Sequence, residues 1–252
     1  LCAQGIDIIN LSIGEPDFNT PDHVKEAGKK AIDDNFTHYA PVAGYPDLKK
    51  AIADKFLREN NLHYNTNEII VSNGTKHSIA NVILSIINPG DEVIIPIPYW
   101  VSYAEIVKIA EGKPVYIESH IDNDFKISPE QLRKAITSKT KAIFINSPSN
   151  PTGSIYSRSE MKAIADVLAD YKNIWILSDE IYEHIIFEGE HVSIAEFENV
   201  RDRVVTINGV SKGYAMTGWR IGYIGAPKCL VESCNKIQAH YPSGANSIAQ
   251  KA

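Results

Sequence analysis

Seven short runs rich in β-branched residues recur along the chain, at 69–71, 93–95, 115–117, 142–145, 174–177, 204–207 and 221–224. Between them, segments such as 76–87, 129–136 and 159–171 place apolar residues three and four apart, the spacing of a helix with one buried stripe. Runs that are apolar throughout suit strands covered on both sides. Their alternation with helices predicts an α/β fold, a mostly parallel seven-stranded sheet with helices on both faces. A chain of 252 residues, 44% of them hydrophobic, can bury a substantial core, as one large domain or one plus a small lobe. Pro16 and Pro21 interrupt the beginning, so residues 1–24 read as an arm with part of a small domain, and 25–252 as a large domain.

The polar residues with chemical potential fall where these strands end. Gly74-Thr75 follow the first run, Trp100 the second, Asn150 the fourth, Asp179 the fifth and Lys212 the sixth. In an open α/β sheet the loops at the carboxyl ends of parallel strands converge on one crevice, so these distant positions can share a pocket.

Each residue type permits a structural role beside a chemical one. Lysines usually lie at the surface, but Lys212 follows an apolar strand among small residues, where a desolvated amine can form a Schiff base. Arg220, eight positions on, offers a planar fork suited to phosphate, and Ser211 a hydroxyl. Gly74-Thr75 open the helix 76–87, whose N–H groups are a natural anion seat. Asp179 reads equally as the N-cap of a helix starting at Glu180, with Glu180 as a helix-start charge. Asn150-Pro151-Thr152-Gly153 reads as a turn, Tyr182 and Tyr39 as packing tyrosines, and Trp100 as a core tryptophan. A solvated Lys76 in a first helical turn is slightly unfavourable, because that end of a helix is already positive.

Several classes are disfavoured. A formal charge of −6 without a basic run argues against nucleic acid. No apolar stretch approaches the roughly 20 residues that span a bilayer, and no secretory leader is expected. Cys2, Cys229 and Cys234 form neither a disulfide framework nor a metal-ligand pattern, and a reducing cytoplasm is the expected setting. The chain opens on Leu1 and closes on Ala252 within what reads as a helix, so a fragment of a longer protein is expected.

Asn146-Ser147-Pro148-Ser149-Asn150-Pro151-Thr152-Gly153, Ser178-Asp179-Glu180-Ile181-Tyr182 and Ser211-Lys212-Gly213-Tyr214-Ala215-Met216-Thr217-Gly218-Trp219-Arg220 together resemble class I aminotransferases of the fold-type-I pyridoxal 5′-phosphate enzymes. Leu11-Ser12-Ile13-Gly14-Glu15-Pro16-Asp17-Phe18, Tyr39-Ala40-Pro41 and Pro98-Tyr99-Trp100-Val101-Ser102-Tyr103 are similar to the bacterial aspartate/prephenate branch. The resemblance runs through essentially the whole chain and implies the cofactor-binding large domain, with a small C-terminal domain missing.

It further implies that Lys212 carries the cofactor and then moves the substrate's proton, and that Asp179 pairs with the pyridine nitrogen. Asn150 and Tyr182 reach the ring oxygen, and Trp100 stacks on the ring. Gly74, Thr75, Ser211 and Arg220 hold the phosphate, while Gly209 stands where some relatives have a phosphate-binding serine. Tyr39 reaches the phosphate of a neighbouring subunit, which implies a homodimer with shared active sites. Gly14, Trp100, Asn150 and Lys76 meet substrate, Lys76 at the distal carboxylate of a dicarboxylic acid. The implied reaction exchanges an amino group between an amino acid, aspartate first, and a 2-oxo acid. Prephenate and a broad amino acid range stand behind aspartate. Other reactions on this fold remain open, among them carbon–sulfur lysis and aminocyclopropane carboxylate formation, as does a ligand-sensing domain of a transcription regulator. Lys76 and Thr217-Gly218-Trp219 favour transamination.

Overall fold

The computed structural model describes residues 4–8 and 14–252, so Cys2 and the Leu11-Ser12-Ile13 part of the N-terminal motif lie outside the described residues. All seven expected strands form: β1 Ile69–Ser72, β2 Glu92–Ile97, β3 Lys113–Glu118, β4 Thr140–Asn146, β5 Trp175–Asp179, β6 Val204–Gly209 and β7 Gly222–Gly225. They make one sheet in the order β1-β7-β6-β5-β4-β2-β3. β7 alone runs antiparallel to its neighbours, β1 and β6. The carboxyl ends of β1, β6, β5, β4 and β2 therefore meet at one edge, which β7 enters by its first residue.

Helices cover both faces, as the apolar-throughout strands require. Alternate strand residues enter two separate cores. Ile94, Ile143, Ile145 and Ile176 pack with α2 (Pro46–Asn60), α5 (Pro129–Ala135) and α6 (Arg158–Ala169). Val93, Ile95, Phe144, Leu177 and Ile207 pack with α3 (Thr75–Ile86), α4 (Ser102–Ile109) and α7 (Lys228–His240). Helix starts follow local sequence where it is explicit. Ser128 with Gln131, and Ser157 with Glu160, close reciprocal capping boxes on α5 and α6. Among the described residues no helix is long and apolar enough to cross a membrane.

Three expectations change. No helix follows Asp179; residues 181–184 form a turn, because Glu180 and Glu183 are drawn inward as buried hydrogen-bond acceptors. Glu180 accepts from Ser178 Oγ at 2.7 Å, from Ser193 Oγ at 2.6 Å and lies 3.0 Å from His191 Nε2, so it is no helix-start charge. Residues 247–251 are turns rather than a helix, held in part by Asn246 Oδ1, which accepts from Ala249 N at 2.8 Å. The first helix, α1 (Asp22–Asp33), begins just inside the stretch read as an arm and crosses residue 24.

Candidate active site

A cavity of about 920 Å3 opens at the shared strand edge. It brings together Thr75, Asn150, Asp179, Tyr182, Lys212 and Arg220, although 145 positions separate the first from the last in the chain. Gly14, Lys76, Trp100 and Ser211 also line it. The sheet order sets their sequence across the cavity: Gly74-Thr75 after β1, Arg220 before β7, Lys212 after β6, Asp179 ending β5, Asn150 after β4, and Trp100 after β2.

Asp179 is 3% exposed, and burial pushes its carboxyl up to about 6 against the pull of its hydrogen bonds. Tyr103 Oη donates to Oδ2 at 2.6 Å, and the Ile181 amide reaches Oδ1 at 3.3 Å, the cap-like contact that survives without a helix. The neighbouring strand contributes Asn146, paired in register with Asp179. Its Nδ2 donates to the Asp179 carbonyl at 2.8 Å and to the Pro148 carbonyl at 3.1 Å, while Oδ1 accepts from the Asn150 amide at 2.7 Å. Every polar atom of that side chain is used to shape the 147–153 turn. The turn aims Asn150 Nδ2 at Tyr182 Oη, 3.4 Å away. Burial and the nearby Asp179 charge hold the Tyr182 phenol above its ordinary range.

Lys212 is half-buried, and its Nζ donates to the Gly14 carbonyl and lies 5.5 Å from the centre of the Tyr182 ring. Desolvation lowers its pKa; Glu15 opposes this and the Arg220 charge adds to it. Its loop is tied to residues 14–20: Thr217 Oγ1 bonds Glu15 at 2.7 Å, and Thr20 Oγ1 donates to the Ala215 carbonyl at 2.6 Å. Lys76 Nζ sits 5.0 Å over the Trp100 ring.

At the β1 end, α3 begins at Gly74 with φ +82 and no side-chain cap, so its first N–H groups are left for a ligand. The Arg220 guanidinium packs directly on Gly74, where an added Cβ would overlap it, and Nη1 donates to the Thr217 carbonyl at 2.8 Å. A Cβ on Gly222 would overlap the backbone of Gly74 and Thr75. Gly222→Ala should therefore cost about 1–3 kcal/mol in thermal unfolding, since rigid backbone on both sides leaves no room to repack. Gly209 is similarly closed: a Cβ would meet the Ile221 carbonyl at 2.8 Å, so a serine hydroxyl has no place there.

The donors thus suit a ligand with an anion at the β1–β7 side, a basic ring atom near Asp179, and an electrophile near Lys212. Two expected residues differ from the rest. Tyr39 is 97% exposed and lines a separate cleft with His38 and Pro242, outside this cavity. Gly74 contributes through its contact with Arg220. Sequence reasoning did not single out Tyr103 or Asn146 as site residues. Both belong to the motifs at 98–103 and 146–153: Asn146 ends a strand beside Asp179, and Tyr103 lies in the first turn of α4, its ring edge-on to Trp100 at 5.4 Å.

A second polar cluster lies beside the site. Glu183 accepts from Lys55, from Asn60 at 2.8 Å and from Asn208 at 2.6 Å. Two carboxylate–histidine groups there have spacing compatible with a metal, Glu59-Glu183-His184 and Glu180-Glu183-His191. The lysine, amides and hydroxyls already bonded to Glu180 and Glu183 account for the charge instead.

A family model described as aminotransferase class I and II matches residues 6–252. The chain belongs to this family. Among the relatives of this aminotransferase chain, the aspartate/prephenate aminotransferase of Nitrosomonas europaea is 52% identical over 100% of the chain and 64% of its own length. The aspartate aminotransferase of Bacillus sp. strain YM-2 is 50% identical over 99% of the chain and 64% of its own length. The crystal structure of the Rhizobium meliloti aspartate aminotransferase superposes with a TM-score of 0.97 at 45% identity, covering 99% of this chain and 63% of that one. Aspartate aminotransferase from Thermus thermophilus with maleate gives 0.96 at 43%, covering 99% and 65%. The chain thus spans a little under two thirds of the length of these aminotransferases.

Proposed function

We propose that this chain forms the pyridoxal-phosphate-binding large domain of an aminotransferase that exchanges the amino group of aspartate with a 2-oxo acid. One observation carries the reading: Lys212, Asp179 and Arg220 line a single cavity in the order that an aldehyde, a ring nitrogen and a phosphate require. β7, which Arg220 precedes, and β5, which Asp179 ends, are two steps apart, roughly 10 Å, a span that suits a substituted ring with a phosphate arm.

When bound, pyridoxal phosphate supplies a carbonyl carbon for the substrate amine and a ring that accepts charge from the substrate α-carbon. Arg220, the first N–H groups of α3 and the Ser211 hydroxyl hold the phosphate. Asp179 would keep the ring nitrogen protonated. Asn150 and Tyr182 would hold the ring oxygen, and Trp100 would cover the ring. Lys212 Nζ would hold the cofactor's aldehyde; its lowered pKa makes the neutral amine accessible, so that it could take a proton from the substrate α-carbon. The Gly14 backbone meets the substrate α-carboxylate. In two half-reactions the amino acid leaves as a 2-oxo acid, and a second 2-oxo acid leaves as an amino acid.

Lys76 takes the distal carboxylate of the substrate. Its ammonium stands at the mouth over Trp100, and maleate, carried by the Thermus relative, is likewise a dicarboxylate. Prephenate, also a dicarboxylate, is a second substrate reading, supported by the name of the Nitrosomonas relative. Tyr39, exposed and outside its own cavity, would hold the phosphate of a second copy in a homodimer with shared active sites.

Adding pyridoxal phosphate should produce a visible absorbance band that Lys212→Ala abolishes. Borohydride reduction followed by peptide mass mapping should find the cofactor on the peptide containing Lys212. An adduct on another lysine, or none, overturns the reading. Lys76→Met should lower kcat/KM for aspartate by about 10–100-fold, the worth of one charged hydrogen bond. Turnover of a neutral amino acid should change little; equal losses for both would remove Lys76 from substrate selection.

A further inference from the structure

Asp179 is an awkward residue for the task assigned to it. A carboxylate draws a proton onto a ring nitrogen only if it is itself ionised, and a fully buried carboxyl resists ionisation. Charge near it gives little help from its own loop: Glu180 opposes ionisation, and Tyr182 lies alongside as a neutral phenol. Lys212 and Arg220 face the same cavity from the β6 and β7 side. From α4 the group packed against Asp179 is Tyr103, which is 2% exposed.

Tyr103 is held from three directions. Its ring stacks on Phe144 of β4 at 4.3 Å and 16°, and stands edge-on to Trp100 at 5.4 Å and 87°. Its hydroxyl donates to Asp179 Oδ2 at 2.6 Å, a short charge-assisted geometry. One side chain thus touches both the carboxylate beneath the expected ring nitrogen and the indole expected to cover the ring. With Oδ2 committed to Tyr103 and Oδ1 to the Ile181 amide, the carboxylate plane has no freedom to turn.

We propose that Tyr103 is a positioning residue that keeps Asp179 ionised and aimed at the ring nitrogen, and seats Trp100 against the same ring. This rests on the reading of Asp179 as the ring-nitrogen partner. Burial drives the Tyr103 phenol well above its ordinary range, so it stays a proton donor at any working pH. Removing that donor makes Asp179 more basic, and the shared proton then shifts from the ring nitrogen to the carboxylate.

The test uses protein loaded with pyridoxal phosphate labelled with nitrogen-15 in the ring, whose signal reports directly whether the ring nitrogen is protonated. Tyr103→Phe keeps the aromatic packing and should bind the cofactor within about tenfold of the parent, as expected for one hydrogen bond. Its ring signal should move toward that of an unprotonated pyridine, and should do so at lower pH than in the parent. Phe144→Leu disturbs the same stack without touching the hydroxyl; it should lower the melting temperature and leave the signal in place. A ring signal that responds to Asp179→Asn but not to Tyr103→Phe overturns the proposal alone. An equal displacement in Phe144→Leu also overturns it, because packing would then be the cause. A signal indifferent to Asp179→Asn overturns the reading of Asp179 and the proposal together.

Discussion

On the proposed function, Lys212→Ala will reduce transamination by about 10^4-fold, the upper range for loss of a positioned acid–base group, while the protein remains folded. Among the described residues no other amine is placed to substitute. Lys76 is drawn over the Trp100 ring, and the Arg220 guanidinium stays protonated. Nor does the fold depend on this ammonium, since desolvation already disfavours its charge where it sits. The substitution removes the hydrogen bond to the Gly14 carbonyl, but Thr217–Glu15 and Thr20–Ala215 still tie the same segments together. The measurements are kcat/KM for aspartate and the melting temperature of the protein without cofactor. A variant that melts with the parent yet loses the reaction separates chemistry from folding. Retention of more than about one hundredth of the parent rate would place the proton transfer on another group.

The sheet was legible because strands buried on both faces leave an unmistakable pattern, and all seven runs became strands. The placement of chemistry was legible for the same reason: once the strands are fixed, Thr75, Asn150, Asp179 and Lys212 must meet at one edge. Bonds between side chains that reach across elements were less visible. Glu180 looked like a helix-start charge because its sequence neighbours allow a helix, whereas its partners Ser193 and His191 come from a loop over ten residues away. Tyr103 carried no sign of its bond to Asp179, 76 positions on. Tyr39 shows the remaining limit. It is 97% exposed and outside the cavity, and the role proposed for it needs a second copy of the chain, which a single sequence does not contain.

Asp179→Asn should have two opposite effects, which makes it the more informative substitution. Turnover should fall by about 10^2–10^3-fold, the usual cost of removing one preorganised electrostatic partner from a water-poor site. Stability without cofactor should rise. The folded carboxyl titrates at about 6 against an ordinary value of 3.8, so folding takes up a proton between these limits. Below the lower value both states are neutral and the parent suffers no penalty. Above the upper value both are ionised, and the folded state carries a buried charge worth about 3 kcal/mol by linkage. Stability from this group is therefore present in acid and lost as pH rises through about 6. Asparagine can still bond both neighbours, its oxygen accepting from the Ile181 amide and its side-chain amide N–H donating to the Tyr103 hydroxyl, the reverse of the parent's bond. Denaturant titrations should show the variant more stable than the parent at pH 7 and level with it near pH 4. Adding pyridoxal phosphate should reverse the order at pH 7, because a protonated ring nitrogen offsets the buried carboxylate in the parent and has no counter-charge in the variant. Equal stabilisation of both proteins by the cofactor would show that Asp179 and the ring nitrogen do not meet.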